Sequence, residues 1–544
     1  MAFNSITFLI FLIIVYTVYR RLPHGGQNVL LLISSYLFYA WWEVCFLVLI
    51  VLSTGITYSS GLMIGHGKMS LGERMASSLW AIAGSLVLVV LGWDDLPRLI
   101  RFSFLGWTPG IATSQAWMIV GCVCALTITA NLLHQAASRI EAKNGKILFL
   151  VVGVGANLLM LGFFKYYNFF VENIEAAVRG IGFNSASLRL GIILPIGISF
   201  YSFKNISYVV DVYRGAVRAA HSYVNFALYV AFFPALLAGP IDRAGKLLPQ
   251  LEGRRRITRE QTLRGLHLIF YGIFKKMVIA DGVVGTVNYV FGAGGALTWM
   301  DVIMGTVLFT IQIYCDFSGY TDMARGTAKL FGIDLMVNFN LPYFSKSPRE
   351  FWSRWHISLS TWLRDYLYIS MGGNREGLGK TLRNLMVTMV LGGLWHGAAW
   401  NFVVWGGYHG LLLSLHRVKM YLFGKGESSR NVLVRTLSIL VFFALVCYGW
   451  LLFRAVSTES ILVLSKILVL DFGNIGLTAT MPRFAAMLGL LILIPIEIAE
   501  YIGGGTYFYR RLPVPAWTAV YALMIFAIIL GTTNEAAQFV YFNF

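Results

Sequence analysis

Charged residues are scarce in this sequence: they make up 12% of its 544 residues, whereas 57% are hydrophobic. Mean hydropathy is +0.69, which excludes an ordinary soluble protein and is typical of a polytopic membrane protein. About eleven to thirteen apolar stretches are long enough to span or enter a bilayer. No linker rich in Pro, Ser or Gly divides the chain. The prediction is therefore one all-α membrane domain with about 11–13 membrane helices plus re-entrant or interfacial helices.

Cysteine is also rare, with five residues that form neither a CxxC pair nor a metal-binding spacing: Cys45, Cys122, Cys124, Cys315 and Cys447. All stand in apolar surroundings, so we expect small core residues and no metal site. A Walker A sequence, a Rossmann glycine pattern and an HExxH motif are all absent. These absences argue against coupling to ATP by this chain.

Acidic residues are outnumbered, with 25 Asp and Glu against 43 Lys and Arg, for a net charge of +18. Much of the excess lies in clusters such as residues 242–264. Basic cytoplasmic loops of a membrane protein would account for this. A docking surface for an anionic cytosolic substrate, such as a nucleotide-bearing cofactor, is the alternative, and both stay open. Nucleic acid is not an expected partner.

The N-terminal apolar run predicts a retained helix, since no basic residue precedes it and no small-residue cleavage site follows. Arg20 and Arg21 follow the run, and the positive-inside rule therefore places Met1 outside the cell membrane. The same rule places Arg510 and Arg511 inside. The last helix then exports the C-terminal tail.

Residues 345–369, SKSPREFWSRWHISLSTWLRDYLYI, form the most polar island within apolar surroundings. Ser347 and Glu350 have the spacing of a capping box with Pro348 at the first helical position, which predicts a helix start. Five polar residues would then form one stripe on that helix: Arg349, Ser353, His356, Ser360 and Arg364. An interfacial or re-entrant amphipathic helix fits this pattern, and a polar stripe facing a cavity is the alternative.

A second island is LGGLWHGAAW, residues 391–400, which places His396 inside a long apolar run. His396 follows Arg383 by thirteen residues, or roughly 20 Å of helix in a hydrocarbon core of about 30 Å. The neighbouring small residues predict space for another helix or a thin ligand chain: Gly392, Gly393, Gly397, Ala398 and Ala399. A buried ionisable ring is a functional candidate, although a hydrogen bond to a neighbouring helix would also explain it. His409 and His416 are interpreted as structural.

Five strings together resemble the membrane-bound O-acyltransferase family, in the bacterial branch that acts in alginate O-acetylation and D-alanyl transfer. They are FFKYYNFF, LPIGISFYSFKNISYVVDVYRG, DFSGYTDMARGTAKLFG, FWSRWHISLSTWLRDYLYI and GLWHGAAWNF. The resemblance covers N-terminal helices in residues 1–65, a core in residues 147–420 and the last six residues. Residues 66–146 exceed the family pattern, Thr57 stands where an acidic residue is expected, and residues 421–544 would supply C-terminal helices and an extracytoplasmic tail.

The resemblance implies a helical core with a central tunnel in a bacterial inner membrane. His396 matches the essential histidine of the family by its WHG context, and His356 matches a second by its WHISL context. The candidates for the tunnel lining are Asp316, Ser318, Asn338, Ser360, Trp395 and Asn401. The implied acyl donor is acetyl-CoA, without a metal. The implied partners are membrane lipids and a periplasmic SGNH-type acetyltransferase through which a glycan acceptor is reached.

Thioester chemistry agrees with these assignments. Moving an acetyl group from a thioester to a hydroxyl requires a base within hydrogen-bond reach, and imidazole titrates near neutrality. We assign the general base to His396. We expect His356 to orient the thioester or a water, because a base facing the cytosol would favour hydrolysis. The small residues beside His396 would admit the narrow acyl-pantetheine arm.

The tail QFVYFNF, residues 538–544, resembles the aromatic ending of the alginate-acetylation branch, and Tyr541 is a candidate acyl carrier. Residues 532–541 reach about 33 Å if extended, against roughly 15 Å from the outer face to the midplane. A phenol, with a pKa near about 10, lies between a thiol near about 8.5 and a less acidic sugar hydroxyl, so a tyrosyl ester stays activated. An aromatic belt at the membrane surface is the alternative.

Two functions of other classes remain open at this stage. A proton-coupled transporter could hold both histidines in a membrane cavity, although no intramembrane carboxylate pair accompanies them. A non-catalytic subunit of a polysaccharide secretion complex would need no buried histidine. The acceptor also stays open among alginate, cellulose, peptidoglycan and other surface glycans.

Overall fold

The computed structural model describes residues 1–42, 44, 46–91, 114–137, 140, 142–182, 188–292, 297–424, 431–503 and 513–531. Helices are the regular elements of these residues, and no strand occurs among them. In lipid a helix satisfies its own backbone hydrogen bonds, which explains why the long apolar runs adopt this form. The prediction of an all-α polytopic membrane protein is confirmed.

Six of the described helical segments are long and apolar enough to cross a membrane: Phe46–His66, Lys143–Gly180, Trp299–Leu330, Val432–Arg454, Phe484–Gly503 and Val514–Gly531. Two further apolar helices are shorter, Ile6–Tyr19 and Trp117–Leu132. Tyr541, Arg510 and Arg511 lie outside the described residues. The predicted topology of the termini therefore stays a prediction.

The described chain divides into two compact units, Met1–Leu266 with Arg325–Leu335, and His267–Ala324 with Met336–Phe544. The first unit contains α1 (Ile6–Tyr19), α2 (His24–Ala40), α3 (Phe46–His66), α4 (Leu71–Leu91), α5 (Ser114–Ala137), α6 (Ala142–Leu161), α7 (Tyr167–Gly180), α8 (Ile198–Tyr213), α9 (Tyr223–Ala231), α10 (Phe233–Leu236) and α11 (Ala244–Glu252). Helices α12 (Arg259–Ile273) and α14 (Trp299–Leu330) contribute residues to both units.

The second unit contains the remaining helices: α13 (Asp281–Gly292), α15 (Pro348–Arg354), α16 (Ile357–Trp362), α17 (Leu378–His396), α18 (Trp400–Phe423), α19 (Val432–Arg454), α20 (Thr458–Leu470), α21 (Phe484–Gly503) and α22 (Val514–Gly531). Short π-helical turns occupy Phe274–Ala280 and Leu363–Tyr368. Its core is rich in large aromatic side chains, among which Trp355, Trp405 and Trp450 are fully buried.

A buried polar network joins three helices of the first unit. Ser53 of α3 donates to Asn157 of α6 at 2.8 Å, and Asn205 of α8 donates to Ser53 at 2.5 Å. Asn157 in turn donates to Thr57 at 3.1 Å. The position where an acidic residue was expected therefore carries a hydroxyl that accepts a hydrogen bond inside the protein.

Thiol positions follow the sequence expectation only in part. Cys315 and Cys447 are buried, as expected for core residues, whereas Cys122 is exposed. The core expectation is wrong for Cys122 because its apolar helix turns this position outward. In the part of the chain that the structure describes, no three His, Cys, Asp or Glu side chains are grouped to hold a metal ion.

Candidate active site

His396 is the last residue of α17, and the chain leaves the helix at Gly397 in an extended conformation. The side chain is buried, with 5% of its surface exposed. Its ring centroid lies 5.1 Å from those of Trp395 and Trp405 and 5.4 Å from that of Phe453, all with edge-on geometry. Aromatic packing from α17, α18 and α19 therefore sets the position of this imidazole.

The glycines beside His396 serve a close helix pair. A side chain at Gly393 would overlap the carbonyl oxygen of Phe402, and one at Gly397 would overlap the Phe402 ring. A side chain at Gly406 would overlap the backbone of α17 at Met389. The expectation that Gly393 and Gly397 leave room for an acyl-pantetheine arm is wrong, because α18 fills that space.

His356 lies at a break between two short helices. Helix α15 begins at Pro348 with Ser347 as its N-cap, as predicted, but it ends at Arg354. His356 has a left-handed backbone conformation, with φ 41° and ψ 55°, before α16 begins. The expected single helix is therefore wrong, and the left-handed residue is the physical reason, since it cannot continue a right-handed helix.

The break also divides the predicted polar stripe. Arg349, Ser353 and Arg364 are exposed, whereas His356 is completely buried. His356 is therefore not a solvent-facing residue. The argument that its exposure would favour hydrolysis does not apply.

Asn338 holds the His356 segment through its side-chain oxygen. That oxygen, Oδ1, lies 3.1 Å from Nδ1 of His356 and accepts hydrogen bonds from the backbone N–H and the hydroxyl of Ser358 at 3.1 and 2.9 Å. The backbone carbonyl of Asn338 accepts from the N–H of Ile357 at 2.9 Å. One asparagine thus fixes both the backbone turn and the orientation of the ring.

These bonds define the protonation of His356. Because Ser358 donates its backbone N–H to the same atom of Asn338, that atom is the amide oxygen, which only accepts. Nδ1 of His356 therefore carries the proton and Nε2 carries the lone pair. His356 lies outside the helices long enough to cross a membrane, and burial lowers its pKa to about 3. The ring is neutral at physiological pH, and Nε2 is an unprotonated hydrogen-bond acceptor.

Trp395 lies between the two histidines. Its ring centroid is 5.9 Å from that of His356 and 5.1 Å from that of His396. Phe317 packs edge-on against His356 at 4.7 Å. The structure thus brings together both predicted histidines and the lining candidates Trp395 and Asn338.

Two lining candidates keep buried polar atoms available for a ligand. Oγ of Ser318 and Nδ2 of Asn338 have no hydrogen-bond partner among the described residues, and their side chains are 2% and 0% exposed. A buried polar atom without a partner costs free energy, on the order of 1–3 kcal/mol. These two atoms can each donate one hydrogen bond to a bound substrate.

Three other lining candidates are engaged within the protein. Asp316 forms an ion pair with Lys276 at 2.7 Å, and Lys276 also contacts Asp281 at 2.9 Å. Ser360 donates its hydroxyl to the carbonyl of Trp355 at 3.0 Å. Asn401 donates to the carbonyl of Phe453 at 2.9 Å, which holds the aromatic neighbour of His396.

Similarity to known proteins agrees with this arrangement. Residues 31–451 match the sequence model of MBOAT, the membrane-bound O-acyltransferase family. The chain belongs to the membrane-bound O-acyltransferase family. It is therefore an acyltransferase of the membrane, and both rival classes, the transporter and the non-catalytic subunit, are disfavoured. The family match includes both histidines and every lining candidate, whereas Tyr541 lies beyond it.

This membrane-bound O-acyltransferase is similar to proteins that are named for three different polymers. The probable alginate O-acetylase AlgI of Pseudomonas aeruginosa is 37% identical over 84% of this chain and 72% of the relative. The peptidoglycan O-acetyltransferase of Helicobacter pylori is 33% identical over 64% of this chain and 69% of the relative. The teichoic acid D-alanyltransferase of Bacillus subtilis is 28% identical over 47% of this chain and 68% of the relative.

Sequence reasoning missed the aromatic residues around this acyltransferase site. Trp405 and Phe453 pack on His396, and Phe317 packs on His356. Trp405 lies nine positions after His396, and the intervening glycines gave a signal for the helix pair that brings it back. No signal in the sequence connects Phe453 with this site.

His409 and His416, interpreted from the sequence as structural, have other surroundings. His409 is buried against Trp405 at 4.9 Å and Trp352 at 5.2 Å, and its ring fits over Gly449, where a side chain would approach its Nε2 to 2.8 Å. His416 is partly exposed. Their interpretation as structural residues stays a prediction.

Proposed function

We propose that this acyltransferase moves acetyl groups from cytosolic acetyl-CoA across the bacterial inner membrane to Tyr541. A periplasmic SGNH-type transferase then passes the acetyl group to an exopolysaccharide or cell-wall glycan. The observation that carries the proposal is the pair of buried histidines on either side of Trp395. A scaffold subunit would not need to bury two imidazoles at such a cost.

Similarity to the relatives supports acetyl as the transferred group. The two relatives named as O-acetylase or O-acetyltransferase are 37% and 33% identical to this chain, against 28% for the D-alanyltransferase. All three act on glycans or glycan-like polymers, as their names state. A surface glycan such as alginate is therefore our proposed final acceptor.

The proposed reaction is an exchange of a thioester for an aryl ester. The phenol oxygen of Tyr541 attacks the acetyl carbon as His396 accepts the phenol proton, and the C–S bond of acetyl-CoA breaks. The proton then passes from the imidazolium to the CoA thiolate, which leaves as the free thiol. The proton balance is zero, so no ion or nucleotide is consumed.

His356 has a positioning role in this proposal. A nitrogen that carries a lone pair cannot donate to the thioester carbonyl, but it can accept a hydrogen bond from an amide N–H of the pantetheine arm. Nδ2 of Asn338 and Oγ of Ser318 would donate to carbonyl oxygens of the same arm. Three polar atoms would thereby hold the arm, while His396 carries out the proton transfer.

The topology of the termini completes the proposal. With Met1 and the tail outside, a tail that folds back delivers Tyr541 to His396 from the periplasmic side, and CoA stays on the cytosolic side. Acetyl is passed from a thiol to a phenol and then to a sugar hydroxyl. Each acceptor is a poorer leaving group than the one before it, so the transfer runs in one direction.

Acetylation of the tail provides the decisive experiment. The purified protein is incubated with acetyl-CoA carrying a radioactive acetyl group, and the C-terminal peptide is examined by mass spectrometry. We expect one acetyl group on Tyr541, and none in the variant Tyr541→Phe. Phe542→Leu is the matched control, because it changes an aromatic residue of the tail but keeps the hydroxyl.

Three outcomes would contradict parts of this proposal. Retained glycan acetylation in cells that carry Tyr541→Phe at normal protein levels would rule out the carrier role and leave an aromatic belt as the explanation of the tail. Equal losses in Tyr541→Phe and Phe542→Leu would indicate the same belt. Absence of acetyl transfer or hydrolysis by the wild-type protein would reject acetyl-CoA as the donor.

A further inference from the structure

A cavity of about 400 Å³ lies within the first unit, among α3, α4, α5 and α6. Helices α4 and α5 belong to residues 66–146, the segment expected from the sequence to exceed the family pattern. The volume falls in the range of small-molecule sites, about 300–1,000 Å³. The segment without an assigned role therefore supplies two of the four helices around this cavity.

The wall of the cavity is apolar along most of its length. Its apolar lining includes Leu52, Ile56, Met63, Leu126, Phe149 and Val152. A hydrocarbon chain fits such a wall, because moving apolar surface from water into contact with other apolar surface lowers the free energy.

Polar residues collect at one end of the same cavity. Arg74 lies in the first turn of α4 and His134 in the last turn of α5, and both line the cavity. Asn131 donates to Ser78 at 3.0 Å, which confirms that the start of α4 lies beside the end of α5. The cavity thus has an apolar body and a basic end.

Arg74 has no counterion among the described residues. Its Nε is buried without a hydrogen-bond partner. The neighbouring carboxylate of Glu73 is bound instead by the backbone N–H and the hydroxyl of Ser70, at 2.8 and 2.9 Å. A positive charge with an unused donor therefore stands at the end of an apolar chamber, which is the complement of an anionic amphiphile.

We propose that this cavity binds one acyl chain of an anionic membrane phospholipid, with the lipid phosphate at Arg74. The phosphate accepts from the guanidinium, and the chain lies along the apolar wall of α3 and α6. On the topology proposed above, the basic end of the cavity faces the cytoplasmic leaflet, whose surface is rich in anionic lipids. The proposal is independent of acetyl transfer.

Lipid retention tests this proposal directly. The full chain is purified in detergent micelles that contain equal amounts of phosphatidylglycerol and phosphatidylcholine, and bound lipid is counted by native mass spectrometry. We expect the wild-type protein to retain one phosphatidylglycerol in preference to phosphatidylcholine. Retention of both lipids in equal amounts would overturn the role of Arg74.

Blocking the chamber provides the matched variants. Gly55 lines the cavity, and a Cβ atom added there would meet no atom within 4 Å, so the ring of Gly55→Phe is directed to fill the chamber. Gly121 of α5 has equally open surroundings but does not line the cavity, and Gly121→Phe is the control. We expect at least a tenfold loss of bound lipid in the first and wild-type retention in the second.

Charge variants complete the design. Arg74→Gln should reduce the preference for phosphatidylglycerol about tenfold, whereas Arg74→Lys should keep most of it. Ala130→Leu narrows the chamber from α5 and replaces Gly55→Phe if that variant fails to insert into the membrane. Wild-type lipid retention in a correctly inserted chamber-filling variant would overturn the proposal.

Discussion

The two histidines of the site are held in different ways. His356 donates a hydrogen bond from its Nδ1 to the side-chain oxygen of Asn338 within a strained turn, whereas His396 is packed edge-on against three aromatic rings at the end of a helix. The hydrogen bonds at His356 determine which ring nitrogen carries the proton. The aromatic packing at His396 determines where the ring lies, because the neighbouring side chains fill the space around it. Substitutions near His356 should therefore affect activity by removing single hydrogen-bonding atoms. Substitutions near His396 should affect it by changing the volume that neighbouring side chains fill.

The largest effect is expected for His396→Ala, which removes the proposed base. The rate of acetyl transfer from acetyl-CoA should fall by more than about 100-fold, the lower scale for a general base. Transfer is measured with radioactive acetyl-CoA on protein of equal membrane content. His416→Ala is the control, since His416 is partly exposed and should leave the rate unchanged. Near-normal transfer in His396→Ala would make this residue structural.

Asn338→Leu should have the next largest effect, because it removes the acceptor that orients His356 and Ser358. A misplaced positioning group costs on the order of tenfold to 100-fold in rate. Asn338→Asp keeps an accepting oxygen for His356 and Ser358 but replaces the Nδ2 donor with a second carboxylate oxygen, so it should retain more activity than Asn338→Leu. Equal activities in these two variants would show that the anchoring bonds do not matter for transfer.

His356→Ala should reduce affinity for a CoA thioester by about tenfold, the equivalent of roughly one hydrogen bond. The loss should appear in binding more than in the chemical step, because the proposed role of Nε2 is to hold the pantetheine arm. Affinity is measured by calorimetry with a non-hydrolysable acetyl-CoA analogue. Unchanged affinity together with an unchanged rate would remove His356 from the site.

The smallest effect on the rate of acetyl transfer is expected for Gly393→Ala, which tests the close packing of α17 against α18 near His396. The added methyl group meets the backbone of α18 at Phe402 and should destabilise the protein by about 1–3 kcal/mol. Gly407→Ala, on α18 with open space around it, is the control and should be neutral or stabilising. Thermal unfolding in detergent compares the two variants, and equal midpoints would contradict the close helix pair.

The sequence predicted those parts of the site that depend only on residues close together in the chain. The cap at Ser347 and the first helical residue Pro348 are where the spacing placed them. The apolar run with an embedded WHG sequence indicated a buried His396, which is 5% exposed. These features depend on residues within one or two helical turns, so a single sequence contains the necessary information.

Contacts between segments that are distant in the chain could not be predicted from such local patterns. The turn at His356 depends on Asn338, eighteen positions earlier, and the helical periodicity of residues 345–369 concealed it. Phe453 reaches His396 from another helix altogether. The glycines near His396 were identified as a place of close approach, but composition could not tell a neighbouring helix from a ligand.

Among the described residues, only Leu341 and His356 have a positive φ without being glycine, at 47° and 41°. Each such residue costs roughly 1–2 kcal/mol relative to a relaxed conformation, and both belong to the short stretch that begins at Asn338. For protein engineering, this means that the imidazole cannot be transplanted alone. A designer who copies His356 onto an ordinary helix of another scaffold would obtain a different side-chain direction and tautomer. The transferable part is the whole stretch, residues 338–358, with its two left-handed residues and its asparagine.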